Sequence, residues 1–579
     1  MSWIRRHPLG FALLLALMVA GPGLSLPLVL DDWFHISALE AWLGRDTPRV
    51  PIYFEGWRDP WGGPNVFHFF DGLGNTREIA AGTLPWWTLP ELRIVFLRPL
   101  SSALHLLDVW AFGQGSFGPN LHSLLWYLAL VAVVHLLYRR ELGPGTALWA
   151  LALFAIDETH WFPTCWVANR NALVAAVPAV LGLLAHQRWQ REGWTWGLPL
   201  SLLGLATGLA GGEAALSVFG ILAVWQLLAT PGALLRRVLG LTPALALGLA
   251  WALLYTSLDY GAHGSGLYID PVGEMPLFLA VAPPRALVLI GAQLAGLPAD
   301  LYFFAPAAKA GLLLGGALSV LGLAALLRWL WPELEERDRA ALRWMLPAGV
   351  LALTPGLATL PLSRMLLLPG VVWMPAVAVV LRALWGRRRL LAAALALPHV
   401  LGSVLGWAVL TGATLWIEGG YVSAWERRPQ GIEEQPVLVF TKDPGIGIYM
   451  RIERTTQGFA APPQWILSSL ADLPHELRRP AADRLEVRLV DGRLGDQLFE
   501  QLFRNFEAHP MEPGERVRVA DWENEVLEVD QGRPTAYRLQ GELSELVVLH
   551  WNGRDFVRHE LPEVGQSLRL EPFPGLMTP

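Results

Sequence analysis

The chain has 579 residues, of which 53% are hydrophobic and only 16% are charged. A soluble enzyme carries nearer to 25% charged residues, roughly, so this composition indicates a polytopic membrane protein. The net charge of -6, without a basic stripe interleaved with aromatic residues, argues against a nucleic-acid partner. The single cysteine, Cys165, excludes an internal disulfide and a thiolate metal cluster.

The first apolar run covers 8–30 and follows Arg5 and Arg6. It could be a cleavable signal peptide, with the small residues at 23–25 as its cleavage site. About 23 residues are, however, enough to cross ~30 Å of hydrocarbon. We therefore favour a retained helix whose two arginines hold the amino terminus in the cytoplasm.

Basic clusters end alternate apolar runs downstream, and this alternation orients the chain. It predicts about eleven spanning helices, with the carboxyl terminus on the external side of the membrane. In the inner membrane of a Gram-negative bacterium, that side is the periplasm. The large external loops are 31–97 and 259–306, and the predicted spans are 8–30, 121–138, 146–156, 172–186, 194–210, 214–228, 239–258, 307–329, 346–360, 365–384 and 390–416.

One further apolar run, 277–297, is long enough to be scored as a span. If it crossed, the basic cluster at 387–389 would lie outside, against the positive-inside rule. We therefore predict a helix that lies at the interface or is re-entrant, and that Pro283 and Pro284 break.

The fraction of charged residues rises from roughly 12% up to Ile417 to roughly 28% beyond it. This shift predicts a membrane domain at 1–416, a linker at 417–434 and an external domain at 435–579. Short alternating runs predict that the external domain is rich in β-strands. The runs are 437–440, 484–489, 517–519, 525–529 and 546–549, with one helix predicted at 495–506.

Tryptophans are frequent in the first external loop, at Trp57, Trp61, Trp86 and Trp87. An indole ring offers an apolar surface and one polar N–H group, which suits either the membrane interface or a sugar-binding face. We favour the interface.

Two acidic turns come at predicted external helix ends. Asp31 and Asp32 follow the first apolar run and precede His35, and Asp157 and Glu158 precede His160. We predict that the two histidines bind substrate. Asp31 and Asp32 either mark the helix exit or bind something, because an unpaired carboxylate in hydrocarbon costs several kcal/mol. Mg²⁺ and Mn²⁺ prefer carboxylate oxygen, so Asp157 and Glu158 are candidate ligands of such an ion.

Four arginines fall on the same predicted face as these carboxylates: Arg98, Arg170, Arg285 and Arg364. Each could hold a phosphate through a bidentate contact. The alternative for each is that its side chain only snorkels to the interface.

Several short motifs occur in an order that resembles the bacterial polytopic glycosyltransferases of the GT-C superfamily, nearest to the protein O-mannosyltransferase-like branch. Departures occur after the late arginine, where a tyrosine pattern is replaced by leucines, and after His160, where an acidic residue is replaced by Phe162. The motifs are Asp31-Asp32, Phe96-Leu97-Arg98-Pro99-Leu100, Asp108 with Phe112-Gly113, Asn120-Leu121-His122, His160 with Trp166-Val167-Ala168-Asn169-Arg170, and Arg364-Met365-Leu366-Leu367-Leu368-Pro369.

The resemblance implies a polyprenyl-phosphate-linked sugar donor, an external acceptor that is a glycan, lipid or protein, and inversion at the anomeric carbon. By position, Asp31 or Asp32 would be the catalytic carboxylate, and Arg364 and Arg170 would lie near the donor phosphate. A transporter is the main alternative, but transporters place ionisable groups near the bilayer centre. A catalytically silent scaffold is a third reading.

Overall fold

The structure is a computed structural model of the chain, and it describes residues 2–45 and 62–572. Trp57 and Trp61, two of the predicted interface anchors, lie outside the described residues.

A bundle of apolar helices forms the larger part of the protein, as the composition predicted. In the described ranges, nine helices are long and apolar enough to cross a membrane. Eight of these nine helices coincide with predicted spans, and the ninth is Met275–Ala295. The other three predicted spans are shorter helices: Pro144–Ile156 has 13 residues, Gly197–Gly211 has 15 and Leu216–Ala229 has 14. The protein is therefore an integral membrane protein, and the number eleven stays a prediction. The bundle helices are Pro8–Ala20, Phe117–Glu141, Pro144–Ile156, Asn171–Glu192, Gly197–Gly211, Leu216–Ala229, Leu234–Ser257, Met275–Ala295, Lys309–Leu330, Glu336–Leu353, Leu367–Trp385, Arg389–Leu397 and Ser403–Glu426.

The helix Met275–Ala295, here called the transverse helix, is unbroken, so the predicted break at its two prolines is wrong. Three hydrogen bonds connect this part of the chain to the loop 354–366, here called the tip loop. Before the helix, the N–H of Ile269 donates to the backbone oxygen of Ala358, and within it Arg285 donates to that of Leu357. After the helix, Asp300 accepts from the N–H of Ser363. The helix is also long and apolar enough to cross a membrane, so its re-entrant course stays a prediction.

The first external loop contains regular structure, which its polar composition did not predict. A helix from Asp31 to Trp42, here called the site helix, opens it. A second helix in the loop is Gly72–Ala80, and the helix Pro99–Phe112 follows directly after the loop. A three-stranded antiparallel sheet joins this loop to the second external loop, through strands His68–Phe70, Arg93–Val95 and Gly261–His263.

The carboxyl-terminal region, here called the tail, contains two sheets, and its predicted β-rich character is confirmed. The predicted helix at 495–506 is only the turn Glu500–Phe503. A six-stranded antiparallel sheet has the spatial order Ser567–Leu570, His475–Ala481, Arg484–Leu489, Arg533–Gln540, Trp522–Asp530, Arg516–Val519. A mixed four-stranded sheet has the order Phe556–His559, Val547–Trp551, Val437–Phe440, Trp465–Ser469.

The predicted boundary at 416 and the linker from 417 need correction. The last bundle helix continues without interruption to Glu426. Its final turns carry Tyr421 and Trp425, which are buried in the same apolar core as the tail strands. Burial of these rings explains why the helix continues beyond the end of the apolar run.

Trp86 and Trp87 are also buried in that core, so their predicted location at the membrane interface is wrong. Trp86 donates from Nε1 to the backbone oxygen of Ser468 at 3.1 Å, and Trp87 donates to that of Glu500 at 3.3 Å. The first external loop and the tail therefore share one core, which holds the site helix against the tail.

Candidate functional site

The two adjacent aspartates lie in the first turn of the site helix, where exposed N–H groups favour negative charge. Leu30, which precedes them, has φ 49° and ψ -117°. A leucine in this region costs roughly 1–3 kcal/mol, a strain that is often found at functional sites. The chain reverses here and directs the two aspartates to different partners.

Asp32 is buried and has a structural role in the described contacts. Its two carboxylate oxygens accept from the backbone N–H groups of Val29 at 2.9 Å and Ala168 at 2.6 Å. Burial raises the pKa of Asp32 to about 7, and the two N–H donors oppose this shift. The residue ties the turn at 167–170 to the start of the site helix.

Asp31 is half-buried, and its environment differs from that of its neighbour. Oδ1 accepts from the hydroxyl of Tyr449 at 2.6 Å, whereas Oδ2 accepts no hydrogen bond from any residue that the structure describes. Burial raises the pKa of Asp31, while Tyr449 and the charge of Arg364 oppose the rise. Asp31 is therefore the carboxylate with an oxygen available to a substrate.

Arg364 lies on the tip loop and faces this carboxylate. Its guanidinium carbon is 5.7 Å from the centre of the Trp166 ring. Across 2–45 and 62–572 it has neither a hydrogen bond nor an ion pair, although its charge acts on Asp31. A half-buried guanidinium without a counter-ion is suited to binding an anion.

Arg170 was also predicted to bind phosphate, but it is buried behind Asp32. It forms an ion pair with Asp108 and donates to the backbone oxygen of Pro119 at 3.1 Å. The other carboxylate oxygen of Asp108 is 2.8 Å from Nδ1 of His122. Because its charge is already paired, Arg170 supports the site rather than binding a ligand in this geometry.

Arg98 is likewise paired, with Nε at 2.7 Å from a carboxylate oxygen of Glu213. Its guanidinium also lies over the rings of Phe67 and Phe96, at 4.8 and 4.3 Å from their centres. These contacts fix the start of the helix Pro99–Phe112, which brings Asp108 into the site.

His35 is buried one turn below the aspartates, and its ring lies 4.9 Å from those of both Phe67 and His105. Neither ring nitrogen has a partner within the described chain. Burial, reinforced by Arg98 and Arg170, lowers the pKa of His35 to about 3, so the ring is neutral. His35 and His105 line a small cavity with Asp32 and Asp108, beneath the aspartates rather than at their open side.

The second acidic turn packs against the tip loop, and its side chains are buried or half-buried, while its predicted place on the external side stays a prediction. Asp157 accepts from Nε2 of Gln293 at 3.0 Å, and Glu158 accepts from the hydroxyl of Ser403. His160 is fully buried, with Nδ1 at 3.3 Å from the hydroxyl of Tyr127. These polar contacts join the short helix that precedes the turn to the transverse helix and to the last bundle helix.

These carboxylates do not fit the predicted metal site. In the described ranges, no group of three or more His, Cys, Asp or Glu side chains is arranged to hold a metal ion. Asp157 and Glu158 are instead engaged by neutral donors. The fourth predicted arginine, Arg285, donates to Leu357 in the tip loop and thus helps to hold the loop that carries Arg364.

The chain is similar to several solved structures. It matches the archaeal oligosaccharyltransferase AglB from Archaeoglobus fulgidus in complex with an inhibitory peptide and a dolichol-phosphate, with 15% identity, 80% of this chain and 65% of that chain covered, and a TM-score of 0.41. It also matches ArnT from Cupriavidus metallidurans bound to undecaprenyl phosphate, with 15% identity and a TM-score of 0.37. That match covers 79% of this chain and 85% of ArnT.

Both proteins are glycosyltransferases of the GT-C superfamily, the one that the sequence motifs resemble. This chain spans less than two thirds of the length of the oligosaccharyltransferase. No family model and no curated protein matched it.

Two residues of the site were missed in the sequence. Trp166 was visible as part of a motif beside Arg170, but its indole was not assigned a role. Tyr449 is 418 positions from Asp31, and no local pattern links residues so distant. Only the packing of the tail on the site helix brings them together.

Proposed function

We propose that the protein is a membrane glycosyltransferase that transfers a sugar from a polyprenyl-phosphate-linked donor to an acceptor hydroxyl on the external face. The observation that carries the proposal is the pairing of Asp31, with one free carboxylate oxygen, and Arg364, with an uncompensated charge. The carboxylate of Asp31 can act as a general base, and the guanidinium of Arg364 can bind a phosphate.

In the proposed reaction, the acceptor oxygen attacks the anomeric carbon of the donor. Its proton passes to Asp31, and the bond from the anomeric carbon to the phosphate oxygen breaks. Polyprenyl phosphate leaves with the electron pair of that bond, and the anomeric carbon is inverted. Arg364 stabilises the charge that develops on the phosphate, because a guanidinium presents two parallel N–H groups to it.

The helix Pro99–Phe112 supports access from the lipid. Its inner face carries His105 and Asp108 into the site, while Leu107, Trp110 and Phe112 are exposed large apolar side chains. An amphipathic helix with such a face lies in the plane of a membrane interface. A lipid-borne phosphate at that depth could therefore reach Arg364 without leaving the bilayer.

A divalent cation is not part of the proposed mechanism. The only carboxylates offered as its ligands, Asp157 and Glu158, are bound to Gln293 and Ser403 in the described contacts. The charge of the leaving phosphate is assigned to Arg364 instead.

The purified protein is tested for release of polyprenyl phosphate from a labelled polyprenyl-phosphate sugar. We expect donor-dependent release by the native protein, and a loss of about 10²-fold or more in Asp31→Asn, the scale for a positioned base. Asp259→Asn is the matched control, because Asp259 is exposed and is paired with Arg93.

Equal loss in the two variants would remove the case for Asp31 as the base. An absence of release by the native protein with any polyprenyl-phosphate sugar would overturn the proposed function.

A further inference from the structure

The tail reaches into the candidate site at one point. Tyr449 lies at the end of the turn Gly445–Tyr449, which leads into the helix Met450–Thr456. Its hydroxyl donates to Oδ1 of Asp31 at 2.6 Å. A residue of the tail therefore contacts the proposed base.

The turn that carries Tyr449 is held from two sides. A carboxylate oxygen of Asp443 accepts from the N–H of Gly445 at 2.9 Å and from the hydroxyl of Tyr421 at 2.7 Å. Tyr421 belongs to the last bundle helix, so this bond connects the turn to the membrane part. On the other side, Trp465 donates to the backbone oxygen of Gly447 at 3.1 Å.

The helix that follows the turn is also anchored. Arg454 is buried between Glu453, at 2.9 Å, and Glu418 of the last bundle helix, at 3.6 Å. At the end of the helix, Gln114 donates to the backbone oxygen of Thr456 at 2.9 Å. The position of Tyr449 is thus fixed by the last bundle helix, by Gln114 after the helix Pro99–Phe112, and by the tail together.

We infer that Tyr449 is a positioning residue for Asp31, and that the tail thereby completes the proposed catalytic site. The inference rests on the proposed function in so far as Asp31 is the base. Tyr449 orients the carboxylate by holding Oδ1, which leaves Oδ2 directed to the acceptor.

Several charged groups surround Asp31. Asp32 lies on its own helix, Arg364 on the tip loop, and Arg170 with Asp108 behind Asp32. The charge of Asp31 raises the pKa of Asp32, whereas the charge of Arg364 favours ionisation of Asp31. The hydroxyl of Tyr449 also favours ionisation, because it donates to the charged form.

The experiment replaces Tyr449 with phenylalanine in the full-length protein. Loss of the hydroxyl should raise the pKa of Asp31, so the acid limb of the release rate should move to higher pH by about 1–2 units. The KM for the donor should stay unchanged, since Tyr449 does not contact the phosphate-binding arginine in the described geometry. Tyr537→Phe is the control, because it also removes a buried tail hydroxyl, one that bonds to Ser468.

A second readout does not need activity. Carbodiimides react with protonated carboxyl groups, so labelling of Asp31, followed by peptide mass spectrometry across pH, reports its protonation. The midpoint of labelling should shift upward in Tyr449→Phe and stay in place in Tyr537→Phe. An unchanged midpoint in Tyr449→Phe would overturn the inference, whether or not the native protein releases polyprenyl phosphate. A shift with an inactive native protein would keep the contact and reject only the proposed function.

Discussion

The two acidic turns of this protein have similar sequences and different surroundings. At the site helix, Asp31 keeps one carboxylate oxygen free and faces Arg364, which has no counter-ion among the described residues. At the second turn, Asp157 and Glu158 each bond to a neutral side chain from another helix. The first arrangement leaves binding capacity for a ligand, whereas the second uses that capacity to join helices.

This comparison shows how to separate a site from a structural contact among buried ionisable groups. A polar group that is buried must be hydrogen-bonded, or it costs free energy. Where the protein itself supplies the hydrogen-bond partners, a contribution to stability explains why the polar residue is buried there. Where a charge is left over in a half-buried position, a ligand is the better explanation.

The largest effect on the first turn, after removal of Asp31 itself, is expected from Arg364→Gln. It removes the only charge in the described site that is free to bind the donor phosphate, so the KM for the donor should rise by about 10- to 100-fold. Initial rates over a range of donor concentrations measure this. Arg93→Gln, which removes a half-buried arginine that is paired with Asp259, should leave the KM unchanged. Equal rises in both variants would contradict the role of Arg364.

The next largest effect is a loss of stability that we expect in Asp32→Asn and not in Asp31→Asn. Asp32→Asn replaces one accepting oxygen with an NH₂ group, so one backbone N–H, of Val29 or Ala168, loses its partner. We expect a loss of about 1–3 kcal/mol in the free energy of unfolding, measured by thermal or denaturant unfolding in detergent.

Asp31→Asn should not share that loss. Because burial raises the pKa of Asp31, the folded state gains nothing from ionising it at neutral pH. The ionised form costs stability as pH rises from the ordinary carboxyl pKa to the raised one. The neutral variant should therefore be at least as stable as the native protein at pH 7. Equal destabilisation of the two variants would show that both carboxylates are structural.

The smallest effect is expected at the second turn. Glu158→Gln keeps an oxygen that can accept from Ser403, so the loss of stability should be about 1 kcal/mol or less. If the turn is structural, added divalent ions and a chelator should change the activity of Glu158→Gln, Asp157→Asn and the native protein to the same extent. A variant that needs more metal would restore the metal-binding hypothesis and break the contrast between the two turns.

The sequence predicted the features that depend on local pattern. Hydropathy gave the positions of most bundle helices, and alternation gave tail strands such as Arg484–Leu489. Charge alternation also predicts that the transverse helix is re-entrant, and this stays a prediction. Asp31 and Arg364 came from motifs, and their proximity follows from the fold.

Features that depend on contacts between distant segments were not predictable from local pattern. Trp86 and Trp87 look like interface residues by composition, and only the shared core with the tail explains their burial. The burial of Asp157 was not predictable either, because its partner Gln293 is 136 positions away along the chain.

The central claim is that a lipid-linked phosphate binds between Arg364 and Asp31. The most direct measurement is an experimental structure of the protein with polyprenyl phosphate. The account predicts phosphate oxygens at roughly 3 Å from the guanidinium of Arg364, with Asp31 beside them and still bonded to Tyr449. A phosphate bound at the turn of Asp157 and Glu158, or one that leaves Arg364 without a contact, would contradict it.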